Sequence, residues 1–162
     1  MDAVANGSVP LKSANFLETL SLIERLHRLL LDVIKDEFER LCWTELNSVQ
    51  ALLLFNIGSE EVTAGDLRSR GYYQGSNVSY NLKKLVEGGY LNHQRCRSDR
   101  RAVRISLTDK GEEIRDIVAD IFDTHYRRLL EEAFESDDDF MIMNGRMRTL
   151  ENFWRRSIRF IY

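Results

Sequence analysis

Arg97, Arg100 and Arg101 fall within a five-residue stretch, with Arg95 and Arg104 on either side and Asp99 the one acid among them. A guanidinium offers planar, paired donors that match a phosphate. Arginines crowded on so short a segment repel one another, so the cluster needs an anionic partner or serves solubility. Asp99 can hold one arginine in place while another projects. Upstream lie Gln74, Ser76, Asn77, Ser79, Tyr80, Lys83 and Lys84. Their amide and hydroxyl groups can hydrogen-bond base edges or phosphates, and their ammonium groups neutralise phosphate. The chain as a whole carries −3, yet residues 75–104 hold seven Lys+Arg against two acids. A basic patch on an acidic body is an oriented footprint for a polyanion.

Catalytic chemistry has no comparable foothold. There is no HExxH, GxSxG or P-loop pattern, and no nucleophile–base pair can be named. His27, His93 and His125 are far apart, and Asp32, Asp36 and Glu37 suit a solvated helix face. No enzyme activity, metal or cofactor is therefore expected, although His93 could touch phosphate. Cys42 and Cys96 lack CxxC spacing, which suits a reducing, cytoplasmic compartment. Cys96 enters the arginine-rich segment, where its pKa should fall and its reactivity rise. Cys42, beside Trp43, reads first as a small residue in a crowded joint.

These groups must be carried by elements that the hydrophobic pattern supplies. Phe16, Leu20, Ile23, Leu26, Leu30, Val33 or Ile34, Phe38 and Leu41 recur at steps of three and four, so a long first helix runs from about 14 to 41. A second helix follows Thr44 as N-cap and spans 45–56, with Val49, Leu52, Leu53 and Ile57 as its core face. Thr63 and Asp66 have capping-box spacing for a short third helix. The fourth, 76–87, sets Val78, Leu82 and Leu85 inward and ends at Gly88-Gly89. Residues 90–95 and 102–107 read as two strands, with the arginine cluster at the tip between them. Thr108 caps a fifth helix to about 135, and Ser136 opens a sixth.

Helix, turn, helix and hairpin in that order make a winged helix, in which one helix enters the major groove and the hairpin reaches the backbone beside it. The fold class is mainly α with a small β hairpin: a winged helix-turn-helix with long N- and C-terminal dimerisation helices. The expected divisions are a disordered lead (1–13), an N-terminal dimerisation helix (14–43), the winged helix domain (44–108) and C-terminal dimerisation helices (109–162). No run of apolar residues suits a membrane span, and the first thirteen residues have no secretion pattern. The apolar stripes of the first and sixth helices, the latter including Met143, Met147 and Trp154, exceed what one small domain can bury, so a homodimer is expected.

Asp99-Arg100-Arg101 followed by Leu107-Thr108-Asp109-Lys110-Gly111 resembles the DxR…LTxxG wing signature of the MarR family of bacterial regulators. Residues 44–111 carry the resemblance, and the flanking helices match as architecture. Within the family, residues 23–28 and 71–82 are similar to LdtR-type regulators, which are tied to cell-wall L,D-transpeptidase genes. The resemblance implies a homodimer on a pseudo-palindromic double-stranded DNA operator, joined by the first, fifth and sixth helices, and a small-molecule pocket. Wing contacts are assigned to Arg97, Ser98, Arg100 and Arg101, and the recognition helix supplies the other DNA contacts named above. An aromatic effector is expected where the first two helices meet the fifth. Phe16, Trp43, Leu53 and Phe55 would supply apolar walls there, and Arg25, His27 and Thr44 polar anchors. Two alternatives stay open: a redox-responsive regulator acting through Cys96 or Cys42, and a protein-interaction adaptor, against which the basic wing argues.

Overall fold

The computed structural model describes residues 13–63, 66–67, 76–95 and 103–158. The chain divides into two compact units, Met1–Arg115 and Asp116–Tyr162. Among the described residues, no helix is long and apolar enough to cross a membrane.

The first unit begins with α1 (Ala14–Arg40). Only Ile34 and Phe38, near its C-terminal end, are buried. The helix closes by bonding the Trp43 N–H to the Phe38 carbonyl (2.8 Å) and the Cys42 N–H to that of Glu39 (3.0 Å). Cys42 takes up the reversal at φ 58°, the left-handed conformation that glycine usually fills at this point. Cys42→Gly is therefore expected to raise stability by about 1 kcal/mol, the cost of left-handed backbone for an L-residue. Thermal unfolding checks it, and a lower melting temperature would show that the side chain contributes more than the strain costs.

Next comes α2 (Ser48–Ile57), capped by Asn47 rather than by Thr44. The Asn47 side chain accepts from the Gln50 N–H (2.9 Å), and the Gln50 side chain accepts from the Asn47 N–H (3.2 Å). This reciprocal box satisfies two terminal donors at once, whereas a start at Thr44 leaves the Asn47 side chain without that role. The helix also lacks the single core face read from its sequence. Residues 50–54 are all buried, which makes α2 the central helix of the unit.

Thr63 and Asp66 form the expected capping box. Asp66 N–H donates to Thr63 Oγ1 (3.0 Å), and Thr63 N–H donates to the Asp66 carboxylate (2.8 Å). Asp66 and the fully buried Leu67 are helical. The rest of the predicted third helix lies outside the described residues. Then follow α3 (Ser76–Glu87), β2 (Leu91–Arg95) and β3 (Val103–Leu107). The two strands pair antiparallel, with Leu91 opposite Leu107 and Arg95 opposite Val103. A third strand, β1 (Val62–Thr63), adds to the far edge of β3, so the hairpin becomes a three-stranded sheet in the order β1-β3-β2. Two residues are too few for a periodic signal, which is why β1 is not legible in the sequence.

Thr108 caps α4 (Asp109–Glu132) through its side chain, which accepts from the Gly111 N–H (3.2 Å). In the second unit, Ser136 caps α5 (Asp137–Ser157) by accepting from the Asp138 N–H (3.2 Å). Three aspartates occupy the first turn and two arginines the last, each favourable to the helix dipole. The turn before α5 is held by Phe134 edge-on to Phe140, with centroids 4.6 Å apart. No residue of α5 is buried.

Candidate nucleic-acid interface

The two faces of α3 differ as the sequence requires. Leu85 is fully buried and Leu82 nearly so, while Ser79, Tyr80, Lys83 and Lys84 are exposed. Tyr80 is 60% exposed, which is unusual for an aromatic residue on a helix whose other face reaches the core. It leaves the ring free to stack or to donate from its hydroxyl. Lys84 Nζ lies 6.0 Å from the Tyr80 ring centre. Both lysines reach Glu87, Lys83 at 3.8 Å and Lys84 at 3.3 Å. Such exposed pairs are weak, so a polyanion can take these ammonium groups at little cost.

Ser76 and Asn77 open α3, but their side chains are not among those described, and Gln74, Arg97, Ser98, Arg100 and Arg101 lie outside the described residues, as does Cys96. The strands that lead to them converge on the same unit. Arg104, in β3, is exposed and paired with Glu61 at 2.7 Å, which the sequence does not reveal. Part of the wing's positive charge is thus neutralised before any ligand arrives.

The junction between α3, the wing and α4 explains much of the residue pattern there. The Tyr90 N–H bonds the Leu85 carbonyl (2.9 Å), and Gly89 turns the chain at φ 75°. The Thr108 N–H donates to the Tyr90 carbonyl (3.1 Å), and the Thr108 hydroxyl to that of Gly89 (2.7 Å). Gly111 is buried against the same Tyr90 carbonyl, whose oxygen a Cβ at 111 would overlap. The threonine and the glycine of the Leu107–Gly111 signature are thus a docking surface for the turn that ends α3. Tyr90 itself is buried, and its hydroxyl donates to Glu45 Oε2 (2.7 Å). Lys110 donates to the same oxygen (2.9 Å) and lies 4.2 Å from the centre of the Tyr90 ring. The bond from Lys110, then that from Tyr90, holds the Glu45 carboxyl below its ordinary range. Burial, then the bond to Glu45, pushes the Tyr90 hydroxyl up, and Glu45 also raises Lys110. A depressed carboxylate stabilises the fold above its ordinary pKa, and that contribution is lost as pH falls through the folded value. The cluster is therefore complete at neutral pH.

The residues expected to gather round an effector do not all meet within the chain. Phe16, Arg25 and His27 are exposed on α1. At about 1.5 Å per residue, Phe16 stands roughly 40 Å along the chain axis from Trp43. Leu53 is completely buried, Phe55 and Trp43 are half-buried, and Thr44 is exposed. The Trp43 indole N–H is buried with no hydrogen-bond partner among the described residues.

Residues 46–111 match the family described as "Winged helix DNA-binding domain". This chain carries a winged helix DNA-binding domain. The winged helix falls where α2, α3 and the β2–β3 hairpin stand. Over 99 residues the chain is 34% identical to the exopolysaccharide II synthesis transcriptional activator ExpG of Rhizobium meliloti, covering 61% of this chain and 51% of that protein. The chain thus spans about half the length of this curated relative. A MarR transcriptional regulator from Methanosarcina mazei Go1 superposes with a TM-score of 0.67 at 23% identity, over 87% of this chain and 98% of its own. FabT of Streptococcus pneumoniae, solved in complex with DNA, gives 0.67 at 17% identity over the same shares. The likeness to MarR regulators carried by the wing signature therefore holds in three dimensions: the winged helix and its flanking helices have the MarR fold. These relatives are regulators by name, not enzymes.

Proposed function

We propose that the protein is a MarR-type transcriptional regulator that binds a pseudo-palindromic DNA operator as a homodimer. The carrying observation is α3, with Leu82 and Leu85 buried and Ser79, Tyr80, Lys83 and Lys84 exposed beside the wing of a winged helix domain. In this reading α3 lies in the major groove, and the wing arginines bind the flanking backbone. Two-fold symmetry sets the half-sites about one helical turn apart. Selection of bound genomic fragments by gel shift across a salt series tests it and names the operator. Failure to retain any fragment at low salt would remove the reading.

The wing supplies affinity and α3 specificity. Arg100→Ala with Arg101→Ala is expected to weaken binding to every duplex and to reduce the salt slope by about two, close to one unit per lost phosphate contact. Unchanged operator binding by the double variant would exclude the wing from the interface.

The proposal extends to control by a small aromatic acid at the α1–α2 joint. What supports it is the Trp43 indole N–H, buried without a partner among the described residues, a donor for which a ligand carboxylate would be an acceptor, next to Thr44. A tenfold loss of operator affinity requires the ligand to prefer the non-binding geometry by about 1.4 kcal/mol, and DNA must weaken the ligand equally. Titration of aromatic acids against the DNA complex tests this. If none acts and oxidation does, the regulator responds through Cys42 or Cys96 instead.

A further inference from the structure

We infer that Tyr90 is a positioning residue for DNA binding, clamped by Glu45 and Lys110 so that the end of the recognition helix is locked to the first turn of α4. The inference rests on the DNA-binding reading above and goes beyond it, because Tyr90 is buried beneath the interface and offers nothing to DNA.

Three parts of the winged unit meet at this side chain. Glu45 comes from the segment before α2, Tyr90 from the turn between α3 and β2, and Lys110 from the first turn of α4. The chain leaves the winged unit through α4, so the way α3 is held on that first turn fixes how the exposed face of α3 is presented. Backbone contacts set the distance: the Thr108–Tyr90 bond and the close approach of Gly111 admit little movement. Rotation about that contact is left to the side chains. The Tyr90 ring is wedged between Gly88, where an added Cβ would stand 2.9 Å from Cε2, and Lys110 above its face. Its hydroxyl is then pinned by Glu45. The Lys110–Glu45 ion pair is substantially exposed and adds little stability by itself. Its effect is geometric, since both donors bind one carboxylate oxygen and neither can shift without disturbing the other. A clamp of this kind acts on orientation, which a specific operator demands and a non-specific duplex does not.

The test compares wild type, Tyr90→Phe, Glu45→Gln and the double variant. Binding is measured by fluorescence anisotropy on the selected operator and on an unrelated duplex of equal length, across a salt series. Tyr90→Phe removes one hydroxyl and keeps the ring. It is expected to lose about tenfold on the operator, the effect of one hydrogen bond to a charged acceptor. On the unrelated duplex it should lose less than about twofold, with the salt slope unchanged. Glu45→Gln should reproduce the operator loss, and the double variant should be no worse than either single one, as for residues acting through one contact. Equal losses on both duplexes would overturn the inference in favour of general destabilisation. A slope lowered by about one unit would overturn it in favour of a phosphate contact. Normal operator binding by Tyr90→Phe would overturn it outright while leaving the DNA reading intact. A wild-type protein that binds neither duplex would overturn both.

Discussion

Gly111→Ala is expected to lower stability by about 3 kcal/mol, near the upper end for overpacking a tight contact. The added methyl would overlap the carbonyl oxygen of Tyr90 and stand 3.2 Å from its carbon. Those are backbone atoms already bonded to the Thr108 N–H, so no flexible side chain can yield. Relief requires α4 to draw back from the end of α3, which breaks that bond and loosens the junction. For a chain of this size the melting temperature should fall by roughly 6–12 °C. Operator binding should fall further than the folded fraction, because the recognition helix loses its seat. Gly145→Ala is the matched control. An added Cβ there meets nothing within 4 Å, and alanine's better helix propensity should shift stability by at most about 1 kcal/mol, upward. Circular dichroism melts of the two variants decide the matter. If Gly111→Ala melted with wild type, the close approach would not be what makes glycine necessary.

Leu26→Glu combined with Phe153→Glu is expected to convert a dimer into monomers at micromolar concentration. Leu26 on α1 is 53% exposed and Phe153 on α5 is 56% exposed. Each has exposed apolar neighbours on its helix, Leu22 and Leu29 within about a turn of Leu26, and Trp154 adjacent to Phe153. A soluble chain rarely leaves that much apolar surface to water, so a partner surface is implied. Burying one such side chain is worth about 1.5–3 kcal/mol, and two-fold symmetry counts each residue twice. Replacing two of them by carboxylates should weaken association by at least about a thousandfold. Sedimentation equilibrium measures it directly. The monomer should retain the winged unit, whose core lies elsewhere, and should lose operator affinity because it contacts one half-site. A double variant that stayed dimeric would place the interface on other surfaces, and a wild-type monomer would end the dimer proposal.

How far such features could be read in advance depended on whether their cause was local. Long periodic stripes are local, so α1, α4 and α5 were legible to within a few residues. The threonine caps at 63 and 108 and the serine cap at 136 were equally plain, because a side chain three residues or fewer from its target needs no fold to reach it. The polar face of α3 opposite Leu82 and Leu85 followed from the same periodicity. Asn47 displaced Thr44 as the cap of α2 although both residue types suit the role, since only the folded chain decides where the backbone turns helical. Strand β1 exists because Val62 and Thr63 find the free edge of β3 some forty residues on. The four consecutive buried residues 51–54 show no amphipathic period because α2 is covered on all sides, and the sequence could not say by what. Phe16 and Trp43 have the right chemistry for one pocket, but Phe16 lies in the first turn of the 27-residue α1 and Trp43 beyond its far end. The Glu45–Tyr90–Lys110 cluster joins residues 45 and 20 positions apart. Composition and period had therefore marked the residues proposed to face DNA. The closeness of Gly111 to Tyr90, and the seat it makes for the recognition helix, came only from contacts that packing brings together.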